Sequence, residues 1–264
     1  MHQRQSKRSP QVTRVPIEEK IRRGCSPRVA RMKRTATFSV LASILVMSTM
    51  FSFVAAASTT SRKAEVALAR EALVVHSDFP NGWTTSPYNS SGGTPGLKQI
   101  ATCLHVPVSV VNYNPPEANS PYFNDAATGV QAQDSVDVFP NVKTGAQQFN
   151  LFASAKSLGC FVEVFNSPAI KSLFTRQIGK GSRVGTITGT ELARPALSNE
   201  SNAFVVRIPG TYRGVTLTIE LEVVTIMSKS LTEGAQMTFD YSSNARFPAS
   251  LISHLEAITV ERLG

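Results

Sequence analysis

In the C-terminal half of the chain, apolar residues return at every second position. Val215, Leu217, Ile219, Leu221 and Val223 alternate with Thr216, Thr218, Glu220 and Glu222, and Ala235, Met237, Phe239 and Tyr241 alternate with Gln236, Thr238 and Asp240. This period predicts antiparallel strands with one buried face and one wet face. Strands are expected near 183–192, 202–209, 214–227 and 233–241, joined by turns at Pro209-Gly210 through Arg213-Gly214 and at Ser230 through Gly234. The same period marks Val130, Ala132, Val136 and Val138 against Gln131, Gln133, Ser135 and Asp137. Asp134 breaks it by taking the parity of the valines. Two readings stand: a bulge or a later strand start, or a carboxylate facing a polar cavity.

Elsewhere the spacing turns helical. Residues 62–75 predict a first helix. Thr94 and Pro95 open a short one that places Leu97, Ile100, Ala101 and Leu104 on one face and Cys103 near its end. Residues 142–158 predict a helix with Phe149 and Phe152 inward, ended by Gly159, and 160–177 predict two short helical pieces around Pro168. A closing helix over 248–262 aligns Leu251, Leu255 and Ile258. Residues 86–93 and 112–129, rich in Ser, Gly, Asn and Pro, read as loops. The expected class is α+β: an antiparallel meander sheet of about five strands covered by N-terminal, central and C-terminal helices.

Charge changes this picture at one end only. The 264 residues carry a formal charge of +9, and residues 1–34 hold eleven basic against two acidic side chains, so the rest is balanced at sixteen of each sign. A neutral domain offers no field for phosphates, which argues against nucleic acid as a partner. Residues 1–31 read as a basic disordered extension. From Met32, a short basic head, the apolar run Phe38 to Ala57 and the small-residue exit before Ser58 read as a signal peptide cleaved between Ala57 and Ser58. Met32 is therefore the expected initiator, with residues 1–31 left untranslated. The alternative is an uncleaved single-pass anchor with a cytoplasmic N-terminus, membrane contact then being made only through residues 38–57. Either way, residues 58–264 form one exported domain. Export leaves one even pair of cysteines, Cys103 and Cys160, which are expected to be bonded in an oxidising compartment.

No catalytic or metal motif is present. His76 and Asp78 flank Ser77, but the nucleophile elbow is missing; zinc, EF-hand and phosphate-loop spacings are missing as well, and no cofactor is expected. Lys171, Arg176, Lys180 and Arg183 make one basic cluster, read as a solvated rim. The more suggestive feature is aromatic. Phe149, Phe152, Phe161, Phe165 and Phe174 crowd one helical stretch, which either fills the core or lines a cavity for a lipid or other apolar ligand. These five, with Asp134, are the ligand-cavity candidates.

The run D-F-P-N-G-W at Asp78 to Trp83, Cys103 at a short helix end, V-D-V-F-P at Val136 to Pro140, Gly159-Cys160, and F-P-A-S-L at Phe247 to Leu251 resemble a family of small secreted or envelope proteins of actinobacteria. That family is similar in fold to PsbP-like modules and to the extracytoplasmic sensor domains of mycobacterial receptor kinases. The resemblance implies a fold and a compartment and supplies no catalytic residues. The expectation is a secreted or envelope-associated, non-enzymatic binding module for an apolar or amphiphilic ligand; the alternative is a membrane-anchored sensor or protein-interaction domain with an envelope protein partner.

Overall fold

A computed structural model describes residues 59–89, 96–179, 181–194, 200–212 and 215–264, and in it an antiparallel sheet lies between two layers of helices. The basic arm, the apolar segment, the Ala57-Ser58 site, Thr94, Pro95, Lys180 and the Arg213-Gly214 turn lie outside these residues. In chain order the elements are α1 (Thr59–Ala72), a single 3-10 turn (His76–Asp78), β1 (Trp83–Ser86), α2 (Leu97–Leu104), α3 (Val108–Val111), β2 (Glu117–Asn119), β3 (Tyr122–Asp125) and β4 (Gln131–Val138). There follow α4 (Val142–Phe152), α5 (Ala155–Phe165), α6 (Pro168–Ile178), β5 (Arg183–Val184), β6 (Thr188–Glu191), β7 (Ser201–Tyr212), β8 (Val215–Met227), β9 (Glu233–Ser242) and α7 (Ala249–Leu263). Among the described residues no helix is long and apolar enough to cross a membrane.

The class is α+β, and the sheet runs β1-β3-β4-β9-β8-β7-β5, with β2 also on β4 and β6 also on β7. Nine strands replace the expected five or so. The additions are β1, where no strand is expected, two strands within a segment whose composition reads as loop, and one from the division of an expected strand. Within 112–129, β2 and β3 pair one after the other along the same edge of β4, separated at Ser120-Pro121 because proline cannot extend a ladder. The stretch 183–192 divides into β5 and β6, both held by β7.

Helix 142–158 also differs from expectation. It stops at Phe152, and Ser154 starts a new helix by accepting a hydrogen bond from the Ser157 main-chain nitrogen at 3.2 Å. Gly159 thus lies inside α5 and Cys160 is helical. The division at Pro168 stands, with Ser167 capping α6 and proline in its first turn.

Both faces of the sheet are covered. Ala132, Val136, Val224, Ile226, Met237 and Phe239 pack with Leu251 and Leu255 of α7 and Ala69 and Ala72 of α1. Val206, Ile208, Ile219, Leu221 and Val223 pack with Ile100, Leu158, Phe161, Phe165 and Phe174 of the central helices. Strand alternation therefore does not separate core from water here. Glu222, expected on a wet face, is buried beneath the α7 side, and Thr238 and Asp240 are buried beneath the central helices.

Candidate functional site

Strand β4 ends at Val138, the chain turns through Pro140, and Asn141 caps α4 by accepting from the Thr144 main-chain nitrogen at 3.0 Å. One turn on, Gly145 lies directly against the main-chain carbonyl of Leu231, in the turn between β8 and β9, where any Cβ would overlap it. That close seat fixes the height of the helix over the sheet. Gln148, Phe149 and Phe152, at three, four and seven positions beyond Gly145, share its face and are set over the end of β4 and β9.

Beneath them is a cleft of about 40 Å³. Its apolar wall includes Phe139, Phe149, Phe152 and Met227, and its polar wall includes Asp137, Gln148 and Gln236. Gln148 donates its amide nitrogen to the Val110 carbonyl at 3.4 Å. Its Oε1 and the Oδ1 of Asp137 are buried with no hydrogen-bond partner among the described residues. Burial, reinforced by Glu117 opposite it in the ladder, holds the Asp137 carboxyl well above the usual carboxylate range. At the rim, burial and then the Asp137 charge push the Tyr113 phenol upward, and its ring stacks on Phe139 at 6.5 Å. The cleft thus brings aromatic rings and buried acceptor groups together.

The other candidates fall elsewhere. Phe161, Phe165 and Phe174 are buried in the core and do not line the cleft. They continue its aromatic wall inward, with ring centroids spaced 6.0 Å from Phe152 to Phe161, 6.2 Å to Phe165 and 6.3 Å to Phe174. Asp134 lies on the opposite face of β4. The β4–β9 register is continuous through it, so there is no bulge; its Oδ2 accepts from the Val74 main-chain nitrogen at 3.1 Å, just past the end of α1. Complete burial pushes this carboxyl up to about 7, against the lowering effect of the Val74 bond and of Arg262. Cys103 of α2 and Cys160 of α5 form a disulfide with a Cα separation of 5.7 Å.

Asp78 is bonded to the Arg262 guanidinium at 2.8 and 3.0 Å and accepts from the Val75 nitrogen at 2.7 Å. It therefore orients helix α7, while His76, His105 and His254 are exposed on three separate elements. Of the basic cluster, Arg176 and Arg183 are exposed and Lys171 is half-buried, while Phe174 between them turns inward. Among the described residues no group of three His, Cys, Asp or Glu side chains is arranged for a metal ion.

The sequence pointed to Phe149 and Phe152 of the cleft and missed its polar residues Asp137, Gln148 and Gln236, as it missed the burial of a whole polar row on β4 and β9. Gln131, Gln133, Ser135, Asp137, Thr238 and Asp240 carry the polar parity of their strands, which in a sheet covered on one side would be ordinary solvent-facing residues. Comparison of the chain with known protein families, with curated proteins and with solved structures returns no match.

Proposed function

We propose that the protein is an exported, non-catalytic binding module of the cell envelope or the medium that takes an amphiphilic small molecule in the cleft under α4. One observation carries this reading: Phe149 and Phe152 line a single cleft together with Asp137 and Gln148, and the buried acceptor atoms of the latter two have no donor among the described residues. An apolar wall with a few convergent polar atoms is the usual form of a ligand site. At about 40 Å³ the cleft admits only a terminal group, such as the end of an acyl chain or one edge of a ring, with a hydroxyl or amine donating to Asp137 and Gln148. The remainder of the ligand lies outside. Export is supported by the basic head, apolar run and small-residue exit before Ser58, and by the bonding of Cys103 to Cys160, which fits an oxidising compartment.

Native mass spectrometry and lipid extraction of the chain purified from its own host test the proposal. An amphiphile is expected to co-purify and to be lost from Phe152→Ala and Asp137→Asn. Repeated absence of any small molecule from the wild-type protein would sink the idea. N-terminal sequencing of the same material tests the compartment: a start near Ser58 supports export by cleavage, and an intact apolar segment replaces it with a membrane-held domain.

A further inference from the structure

Four side chains stand together on the helix-covered face of the two central strands. Gln131 lies opposite Asp240 in the β4–β9 ladder and Gln133 lies opposite Thr238. Two residues apart on each strand, all four project to the same side. They are sealed, with Gln131 4% exposed, Gln133 1%, Thr238 1% and Asp240 0%. Yet Oε1 of both glutamines, the Thr238 hydroxyl and both carboxylate oxygens of Asp240 have no hydrogen-bond partner among the described residues.

Hydrogen bonds behind the row decide which amide ends are left over. Asn124 donates its amide nitrogen to the Tyr122 carbonyl at 3.2 Å, and a carbonyl can only accept. Its Oδ1 is thereby turned to Gln131, whose Nε2 donates to it. Gln133 likewise directs its Nε2 to the Asp134 carbonyl and to Asn119 Oδ1. The protein uses both donor ends and leaves both acceptor ends without a partner among the described residues, on the face that also carries Asp240. On β8, Leu221 and Val223 stand opposite Asp240 and Thr238 and offer only hydrocarbon. Burial pushes the Asp240 carboxyl well above the usual range, with no cation among the described residues drawing it back. Each buried polar atom without a partner is destabilising, so four acceptor oxygens and a hydroxyl in one patch call for a guest.

We infer that this patch is a binding site for a small monovalent cation, sodium or potassium. Two amide oxygens, a hydroxyl and a carboxylate are hard oxygen ligands of the kind such ions take. The single negative charge sets the valence: an ion of charge +1 leaves the buried site neutral, whereas a divalent ion leaves an uncompensated positive charge away from water. The site is independent of the cleft. Asp137, the acid of this face that lines the cleft, stands four residues along β4 from Gln133, roughly 13 Å away.

Thermal unfolding of the full chain in sodium, potassium, calcium and N-methylglucamine chlorides at matched ionic strength tests the assignment. Tm is expected to climb with the logarithm of sodium or potassium concentration above the glucamine control, as it does for a ligand that binds only the folded state. Asp240→Asn removes that ion-specific climb. Thr238→Val keeps the side-chain shape and weakens the apparent affinity by about tenfold, the scale of one lost bond to a charge. Equal Tm in all three monovalent salts overturns the inference and leaves ordered water as the filling. A climb confined to calcium overturns it too, as does an ion-specific climb that survives both substitutions.

Discussion

On the α1 and α7 side of the sheet, the rings of Phe79 and Phe123 lie 4.2 Å apart, those of Phe239 and Phe247 4.8 Å, and those of Trp83 and Phe247 5.5 Å. The acids on that side are set against cations or main-chain donors, although Oδ1 of the buried Asp134 has no hydrogen-bond partner among the described residues. Asp78 holds Arg262, Asp134 accepts from Val74, and Glu222 takes both Arg194 and the Tyr241 hydroxyl, the latter at 3.1 Å. Across the same strands, the central helices are tied by a disulfide and cover a row of polar side chains of which several oxygens are unmatched. Each unsatisfied buried polar atom is destabilising. The two sides differ in what surrounds their buried acids: Arg262 and Arg194 stand by Asp78 and Glu222 on one, and no cation among the described residues stands by Asp240 on the other.

Removing the disulfide is the strongest way to break that division. It closes a loop with a sequence separation of 57, and the double substitution Cys103→Ala, Cys160→Ala is expected to lower stability by about 4 kcal/mol in denaturant titration. A loss close to zero would mean that the central helices are held by packing alone. Acidity probes the α1 and α7 side next. The Asp134 carboxyl titrates near 7 in the folded protein and near 4 in the unfolded chain, so the folded state binds its proton more tightly. Its contribution is complete below the unfolded value and disappears as pH rises through 7. Stability should fall by roughly 3 kcal/mol from this group between pH 5 and pH 8. The raised carboxyls of Asp137, Asp240 and Glu256 act in the same direction. Melting curves of Asp134→Asn should therefore show a shallower decline with pH than wild type; an unchanged slope would place the titration elsewhere. The smallest stability effect is expected in the cleft. Phe152 is half-buried, and Phe152→Ala should cost only about 1 kcal/mol while abolishing ligand co-purification, a split that a purely structural ring would not produce.

The long alternating runs placed β4, β7, β8 and β9 within a few residues, since period two over eight or more positions has no helical counterpart. The cysteine pair was legible from its compartment logic, and Phe149 and Phe152 from their spacing. Alternation shows that two faces differ; it does not show that the polar one is wet. Gln131, Gln133, Thr238 and Asp240 look like surface residues until the central helices cover them, and that cover is a long-range fact. The strands in 112–129 were hidden by Asn114, Pro115 and Pro116, which favour turns locally and are overridden by pairing with β4. Glu222 was read as exposed because its partners, Arg194 and Tyr241, belong to a loop and a strand that only the fold brings near.

The central strand has one further consequence, in time. β4 gains its second neighbour only from β9, with Asp134 facing Met237 some 100 residues later, and Arg262 reaches back 184 residues to Asp78. Contacts of such span form slowly, because loop closure precedes any reward from pairing. A ribosome that has released β1 through β8 has made a chain whose middle strand still lacks its second partner and whose first helix lacks its cover. Completion of the sheet is thereby deferred to the end of synthesis.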